Sequence, residues 1–230
     1  MKSLNKFASW LALVLMAALC QFSASAAITP FTDSGSFTAA LQTGYYLENF
    51  TSAPDVVYGP PSPPHTFSGG TPNFSYTITS PGNGGAGSVD VGGSRAISTF
   101  TENDVLTITF TGIQPTAIGG NFFWTDLSGA ATAGSVRVRY GGDSEFIDVP
   151  LSGGGSFAGI TTDNALGFFS ISMSLVGYTS GLYFPTVDNF YVGNATPVPE
   201  AGTWVAGAFI GLFVVTRTGW GILRRRLARQ

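Results

Sequence analysis

Between Ala27 and Thr196, apolar and polar residues alternate in short runs with a period of two. Phe74-Ser75-Tyr76-Thr77-Ile78-Thr79 alternates, as do Val105 to Phe110, Val136-Arg137-Val138-Arg139-Tyr140 and Ile171-Ser172-Met173-Ser174-Leu175. Successive side chains of a strand point to opposite faces, so each run has a dry face and a wet face of small hydroxyls. Two such sheets bury their dry faces against each other, which predicts an all-β fold built as a β-sandwich. Gly141-Gly142-Asp143 joins the strand ending at Tyr140 to one through Phe146 to Val149, a hairpin. One stretch departs from this period. Over Asp33 to Gln42, Phe37, Ala40 and Leu41 share a helical face, Asp33 or Ser34 caps its start and Gly44 ends it, which predicts one short N-terminal helix. Pro60, Pro61, Pro63 and Pro64 make Asp55 to Gly70 an extended loop or edge.

The ends of the chain have a different pattern. Lys2 and Lys6 precede an apolar run from Phe7 to Phe22, and Ala24-Ser25-Ala26 is a small-x-small cleavage site, so residues 1–26 read as a secretory signal peptide. At the other end, Ala201 to Thr216 carries no charge, Arg217 follows, and Arg224-Arg225-Arg226 closes the stretch. As a helix, 201–223 would span roughly 34 Å at ~1.5 Å per residue, enough for a hydrocarbon core of about 30 Å. Arg217 can snorkel to the interface held by the basic cluster, and the arginines predict a cytoplasmic C-terminus. Residues 27–196 are then an exported domain of about 170 residues, enough for one core.

The tail resembles the PEP-CTERM sorting signal of bacterial surface proteins, a tail also found on some ice-binding proteins. Val198-Pro199-Glu200, Thr203-Trp204, the apolar span and Arg224 to Arg226 match it in type and order. One departure is Ala201, which stands where the Pro-Glu-Pro box has its second proline. The resemblance implies a transmembrane helix at about 201–223, cutting near the box by an exosortase-like membrane enzyme, and delivery to a surface rich in exopolysaccharide. An uncut C-terminal anchor is the other reading of the same residues.

Charge narrows the partners. Residues 27–196 hold three arginines, no lysine and twelve acids, a formal charge of -9 that the whole-chain value of -3 conceals. Such a domain repels phosphate backbones, so nucleic acid is not its expected ligand, and divalent cations are the more natural one. Cys20 lies in the leader, so the exported part has no thiol or disulfide. His65 is the only histidine, which leaves a transition-metal site or a Ser-His-Asp triad without its parts. Gly82-Asn83-Gly84-Gly85-Ala86-Gly87 has dinucleotide-loop spacing, but Ser88-Val89-Asp90-Val91 follows where a helix N-terminus is needed.

Two stretches supply candidate binding residues. Tyr46-Leu47-Glu48-Asn49-Phe50 is expected to open the first strand, and Pro185 to Val192 closes the domain. The pair resembles the first and last strands of galactose-binding-like jelly rolls of extracellular carbohydrate-binding modules. That resemblance implies a structural calcium held by an early Glu and a late Asp, here Glu48 and Asp188; the other reading is that both are wet-face carboxylates. Trp124, in Gly120 to Asp126, is either a core tryptophan or an exposed sugar platform, and Tyr45 and Tyr46 form a second candidate platform. Three functional classes follow. The leading one is a noncatalytic surface or extracellular-matrix protein, the second a carbohydrate-binding module, and the third an acid-pair glycoside hydrolase with two carboxylates about 5 to 9.5 Å apart.

Overall fold

The computed structural model describes residues 27–59, 62–82, 84–132, 134–140, 145–151, 156–177 and 181–197. In chain order the elements are β1 (Ile28–Phe31), α1 (Ser34–Ala39), β2 (Tyr46–Glu48), β3 (Val57–Tyr58), β4 (His65–Gly69), β5 (Phe74–Thr79), β6 (Ala86–Val91) and β7 (Ser94–Thr99). There follow β8 (Leu106–Phe110), β9 (Ala117–Thr125), β10 (Ala131–Thr132), β11 (Gly134–Tyr140), β12 (Glu145–Leu151), β13 (Ser156–Thr162), β14 (Ser170–Val176) and β15 (Phe184–Gly193). They form two antiparallel sheets. The six-stranded sheet runs β12-β11-β14-β8-β5-β4; the nine-stranded one runs β1-β13-β9-β15-β7-β6-β3, with β10 added to β9 and β2 added to β15.

Alternation produces the sandwich. In β5, Phe74, Tyr76 and Ile78 are buried while Ser75, Thr77 and Thr79 face outward. The same holds in β8, where Leu106, Ile108 and Phe110 point in and Thr107 and Thr109 point out. These side chains join Ile97, Ile118, Phe122, Val136, Val138, Ile160, Met173, Val187 and Phe190 in one apolar cluster drawn from both sheets. The β11–β12 hairpin forms as predicted, with Tyr140 opposite Glu145 and Val136 opposite Val149. The proline-rich segment forms edges: β3 ends one sheet and β4 the other. His65 lies on β4 between the rings of Tyr58 and Phe67. The Gly82 to Gly87 loop enters strand β6, not a helix.

Two expectations need correction. β1 precedes the expected first strand at Tyr46; it is short and pairs with β13, which no local period could reveal. The helix is also shorter than expected. Asp33 caps it by accepting from Ser36 N–H at 2.7 Å, but it ends at Ala39. Beyond that point Gln42 N–H donates to Asn194 O, and Leu41 bridges Ala195, so pairing with the end of the chain replaces the last helical turn.

α1 covers the outer side of the nine-stranded sheet through Phe37, which is fully buried. Its ring packs within 6.0 Å of Phe31, Phe157 and Tyr191 and lies on Gly119 and Gly159, which face each other across β9 and β13. A Cβ at Gly159 would come within 2.4 Å of the Phe37 ring, so the helix docks because this pair of positions has no side chain.

The chain divides after Ala195 into two units. The expected leader (1–26) and the sorting-signal residues Val198, Pro199, Glu200, Thr203, Trp204, Arg224, Arg225 and Arg226 lie outside the described residues, as does the expected span 201–223. Among the described residues no helix is long and apolar enough to cross a membrane.

Candidate functional site

β15 changes partner along one side. Thr186 and Val187 pair with Ser98 and Ile97 of β7, whereas Phe190, Tyr191 and Val192 pair with Glu48, Leu47 and Tyr46 of β2. Between these two neighbours β15 bulges, its register with β9 shifting between Asp188 and Tyr191. A bulge re-aims side chains and ends pairing locally, so a gap opens where β7 begins and β2 ends. That gap is a cleft of about 370 Å³ lined by Asn49, Thr51, Gly93, Ser94, Arg95, Asp188 and Asn189.

The backbone around the cleft is held in uncommon conformations. Asn189 has φ 47° and Phe50 φ 57°, both left-handed. Asparagine tolerates that region, but a phenylalanine there is an outlier that its surroundings must enforce. Here the Phe50 ring is fully buried, edge-on to Phe67 at 5.5 Å, and its N–H donates to Glu48 Oε1 at 2.7 Å. Asn49 Oδ1 accepts from Thr51 N–H and Thr51 Oγ1, which shapes the next residues. On the opposite wall, Arg95 donates from Nη1 to Ala53 O at 2.6 Å and from Nη2 to Asp55, tying the loop after β2 to β7. Strain of this kind is concentrated at sites where geometry matters.

Asp188 is the carboxylate of the cleft. Its oxygens accept from Asn189 N–H at 2.7 Å and Asn189 Nδ2 at 2.9 Å. Burial pushes its carboxyl above the usual 3.8, against the lowering effect of the Asn189 N–H. A raised carboxyl favours the protonated form in the folded state, so its contribution to stability is complete below the unfolded value and is lost as pH rises through the folded one. Asp188→Asn is therefore expected to raise the melting temperature at pH 7, with the gain over wild type shrinking to nothing as pH falls below 3.8. Thermal melts of both proteins across pH check this, and a loss of stability at pH 7 would contradict it.

The structure brings some of the sequence-predicted residues together, since the Tyr46 hydroxyl donates to Glu48, and Glu48 lies on β2 opposite Phe190, two positions from Asp188. Glu48 and Asp188 have different roles: Glu48 is 8% exposed and its carboxylate accepts from Phe50 N–H and the Tyr46 hydroxyl, while Asp188 lines the cleft. Among the described residues no group of three or more His, Cys, Asp or Glu is arranged to hold a metal. Trp124 is in the core, not on a platform. It is 6% exposed, its indole N–H donates to Ser135 O at 2.8 Å, and its ring packs on Gly134 and Tyr183, so no face is open to a sugar. Its neighbours Phe122 and Phe123 are buried as well, because β9 is central to its sheet and both of its faces are covered. Tyr46 is half-buried, and burial together with Glu48 holds its hydroxyl well above the ordinary tyrosine range. Tyr45 remains the exposed member of the pair, 6.1 Å from the Tyr191 ring.

Asn49, Thr51, Arg95 and Asn189 were missed as site residues. The available signal was weak: two asparagines next to strand ends, where left-handed backbone is most easily adopted. As an assembly the cleft offers two amides, two hydroxyls, one carboxylate and one guanidinium, a set that exchanges donors and acceptors with a polyhydroxylated ligand.

No protein-family model and no curated protein matches the chain. Among solved structures it is similar to CsCBM6-3 from Clostridium stercorarium, determined in complex with cellobiose, at 19% identity over 51% of this chain and 86% of that one, with a TM-score of 0.31. A superposition at that level transfers neither topology nor ligand.

Proposed function

We propose that the chain is a noncatalytic, exported surface protein whose β-sandwich contacts neutral glycan through the cleft at the β15 bulge. The supporting observation is the lining: Asn49, Thr51, Ser94 and Asn189 present neutral hydrogen-bonding groups around a partly desolvated Asp188. A half-buried carboxylate shifted by desolvation in a cleft is a candidate ligand contact. The hydroxyl-rich outer face of the six-stranded sheet has the same chemistry, since every outward position of β5 and β8 is serine or threonine. An acid-pair hydrolase would require a second carboxylate at about 5 to 9.5 Å; Asp188 is the one carboxylate among the residues that line the cleft, and the nearby Glu48 and Asp55 are engaged by Phe50 N–H and Arg95.

The test is a glycan-array screen of the chain beside Asn189→Ala, run with calcium and with chelator. The reading expects neutral glycans to bind wild type equally in both media, and Asn189→Ala to weaken that binding about tenfold, the effect of losing ~1.4 kcal/mol of hydrogen bonding. Binding only in calcium would favour a cation held at Asp188, and binding unchanged in Asn189→Ala would remove the cleft from the reading.

Delivery belongs to the same proposal: export by the leader, anchoring by residues 201–223, recognition of Pro199-Glu200 by an exosortase-like enzyme, and residence at a surface rich in exopolysaccharide. Glu200→Ala leaves the apolar span and the Arg224 to Arg226 stop intact, so insertion should persist while processing fails. Blots of envelope and medium for an epitope after Ala27 are expected to show the shorter band replaced by the full-length membrane form. A wild type that is full-length throughout, or a variant indistinguishable from it, would make the tail a plain anchor.

A further inference from the structure

We propose that the end of the sandwich from which the chain leaves toward residue 201 rests on the bilayer surface through Ile113, Leu166 and Phe169; the proposal depends on reading 201–223 as a membrane anchor.

These three side chains are 48%, 65% and 59% exposed, large apolar groups facing water on a compact domain. They lie on two adjoining loops, the one between β8 and β9 and the one between β13 and β14. Phe110 N–H donates to Phe169 O at 2.9 Å, and Phe168 N–H to Pro115 O at 2.8 Å. Gly167, at φ 66°, fits against the backbone of Gln114 and Pro115 so closely that a Cβ would come within 2.6 Å of Pro115 O. The loops are thus locked to each other. The two loops carry one charge, the exposed Asp163 at the start of the second, which accepts from Ala27 N–H; residues 111–116 and 164–169 are uncharged, although the exported domain is strongly acidic. A nearly uncharged, apolar surface of this kind marks an interaction site, and an apolar partner without strong charge fits it.

The course of the chain indicates which partner. Ala195 N–H donates to Thr116 Oγ1 at 2.8 Å, so the last strand hands over to the tail beside the loop that carries Ile113. The first strand starts at the same end, with Ala27 N–H donating to Asp163 Oδ1 at 2.6 Å. Thr196 to Glu200 then separate the domain from the uncharged run, five residues that reach at most about 17 Å. An anchored chain therefore keeps this end near the headgroups, where Ile, Leu and Phe partition favourably. The net charge of residues 27–196 opposes an anionic membrane, so a zwitterionic surface is the expected support.

The chain from Ala27 to Gln230 has no cysteine, which permits single probes. Leu166→Cys and Leu127→Cys, each carrying an environment-sensitive fluorophore, are reconstituted in phosphatidylcholine vesicles with or without a headgroup-region quencher. Leu127 is 72% exposed in the turn after β9, about 30 Å along that strand from the Ala117 end at ~3.3 Å per residue. The expected result is a blue-shifted label at 166, quenched several-fold more than the label at 127. Adding Ile113→Ser and Phe169→Ser, both exposed and so neutral to folding, should return the 166 label toward its aqueous emission. If the chain inserts and the two labels behave alike, the proposal fails while the anchor stands. If the chain does not float with vesicles, both fail. Shielding at 166 that needs no lipid and grows with protein concentration would assign the patch to a second copy and overturn the proposal.

Discussion

Phe37→Ala is expected to lower the unfolding free energy by about 3–5 kcal/mol, the range for truncating a buried aromatic without collapse of the cavity. Phe37 is fully exposed to no solvent and is surrounded by Phe31, Phe157 and Tyr191, so its loss empties the layer between α1 and the nine-stranded sheet. Collapse is hindered because the floor of that layer is Gly119 and Gly159, which have no side chains to move inward. Gly159→Ala attacks the same contact from below by forcing a Cβ into the ring, and should cost about 1–3 kcal/mol as an overpacking change. Denaturant melts measure both. A Phe37→Ala loss under 1 kcal/mol would show that the helix is decoration, not part of the fold.

Glu48→Ala should destabilise the protein by about 2–4 kcal/mol, since hydrogen bonds to charged groups contribute ~1.5–3 kcal/mol each and their removal strands buried partners. The carboxylate joins Phe50 N–H to the Tyr46 hydroxyl across the end of β2. Without it the left-handed turn at Phe50 loses the acceptor that holds it, and Asn49 and Thr51 lose their placement in the cleft. Stability and glycan binding are therefore expected to fall together. Glu48→Gln keeps an acceptor at the same distance and should recover most of the stability. A Glu48→Ala protein as stable as wild type, or one that loses stability but binds normally, would separate Glu48 from the cleft.

The strand runs were legible because they are local. Phe74 to Thr79 alternates and forms β5 at those bounds, and the runs on either side of the expected turn, which lies outside the described residues, pair as β11 and β12. The Asp33 cap was legible for the same reason, since it requires only residues three apart. Where the alternating pattern is absent, so was the reading: β1, β3 and β10 are two to four residues long and exist because a partner strand completes them.

The sequence by itself determined that residues 27–196 alternate as a sandwich does, that their charge is strongly negative, and that one capped turn of helix breaks the period. Only the tertiary structure decided the site. Period two says that Trp124 and Phe123 face opposite ways but not that both sides of β9 are covered, which depends on strands far away in the chain. Likewise the cleft exists because β15 exchanges β7 for β2 at its bulge, bringing Asn49, Arg95 and Asn189 together across 140 positions of the chain. Alternation is set by the geometry of each residue with its neighbours, whereas which strand lies beside which is set by burying the whole apolar surface at once.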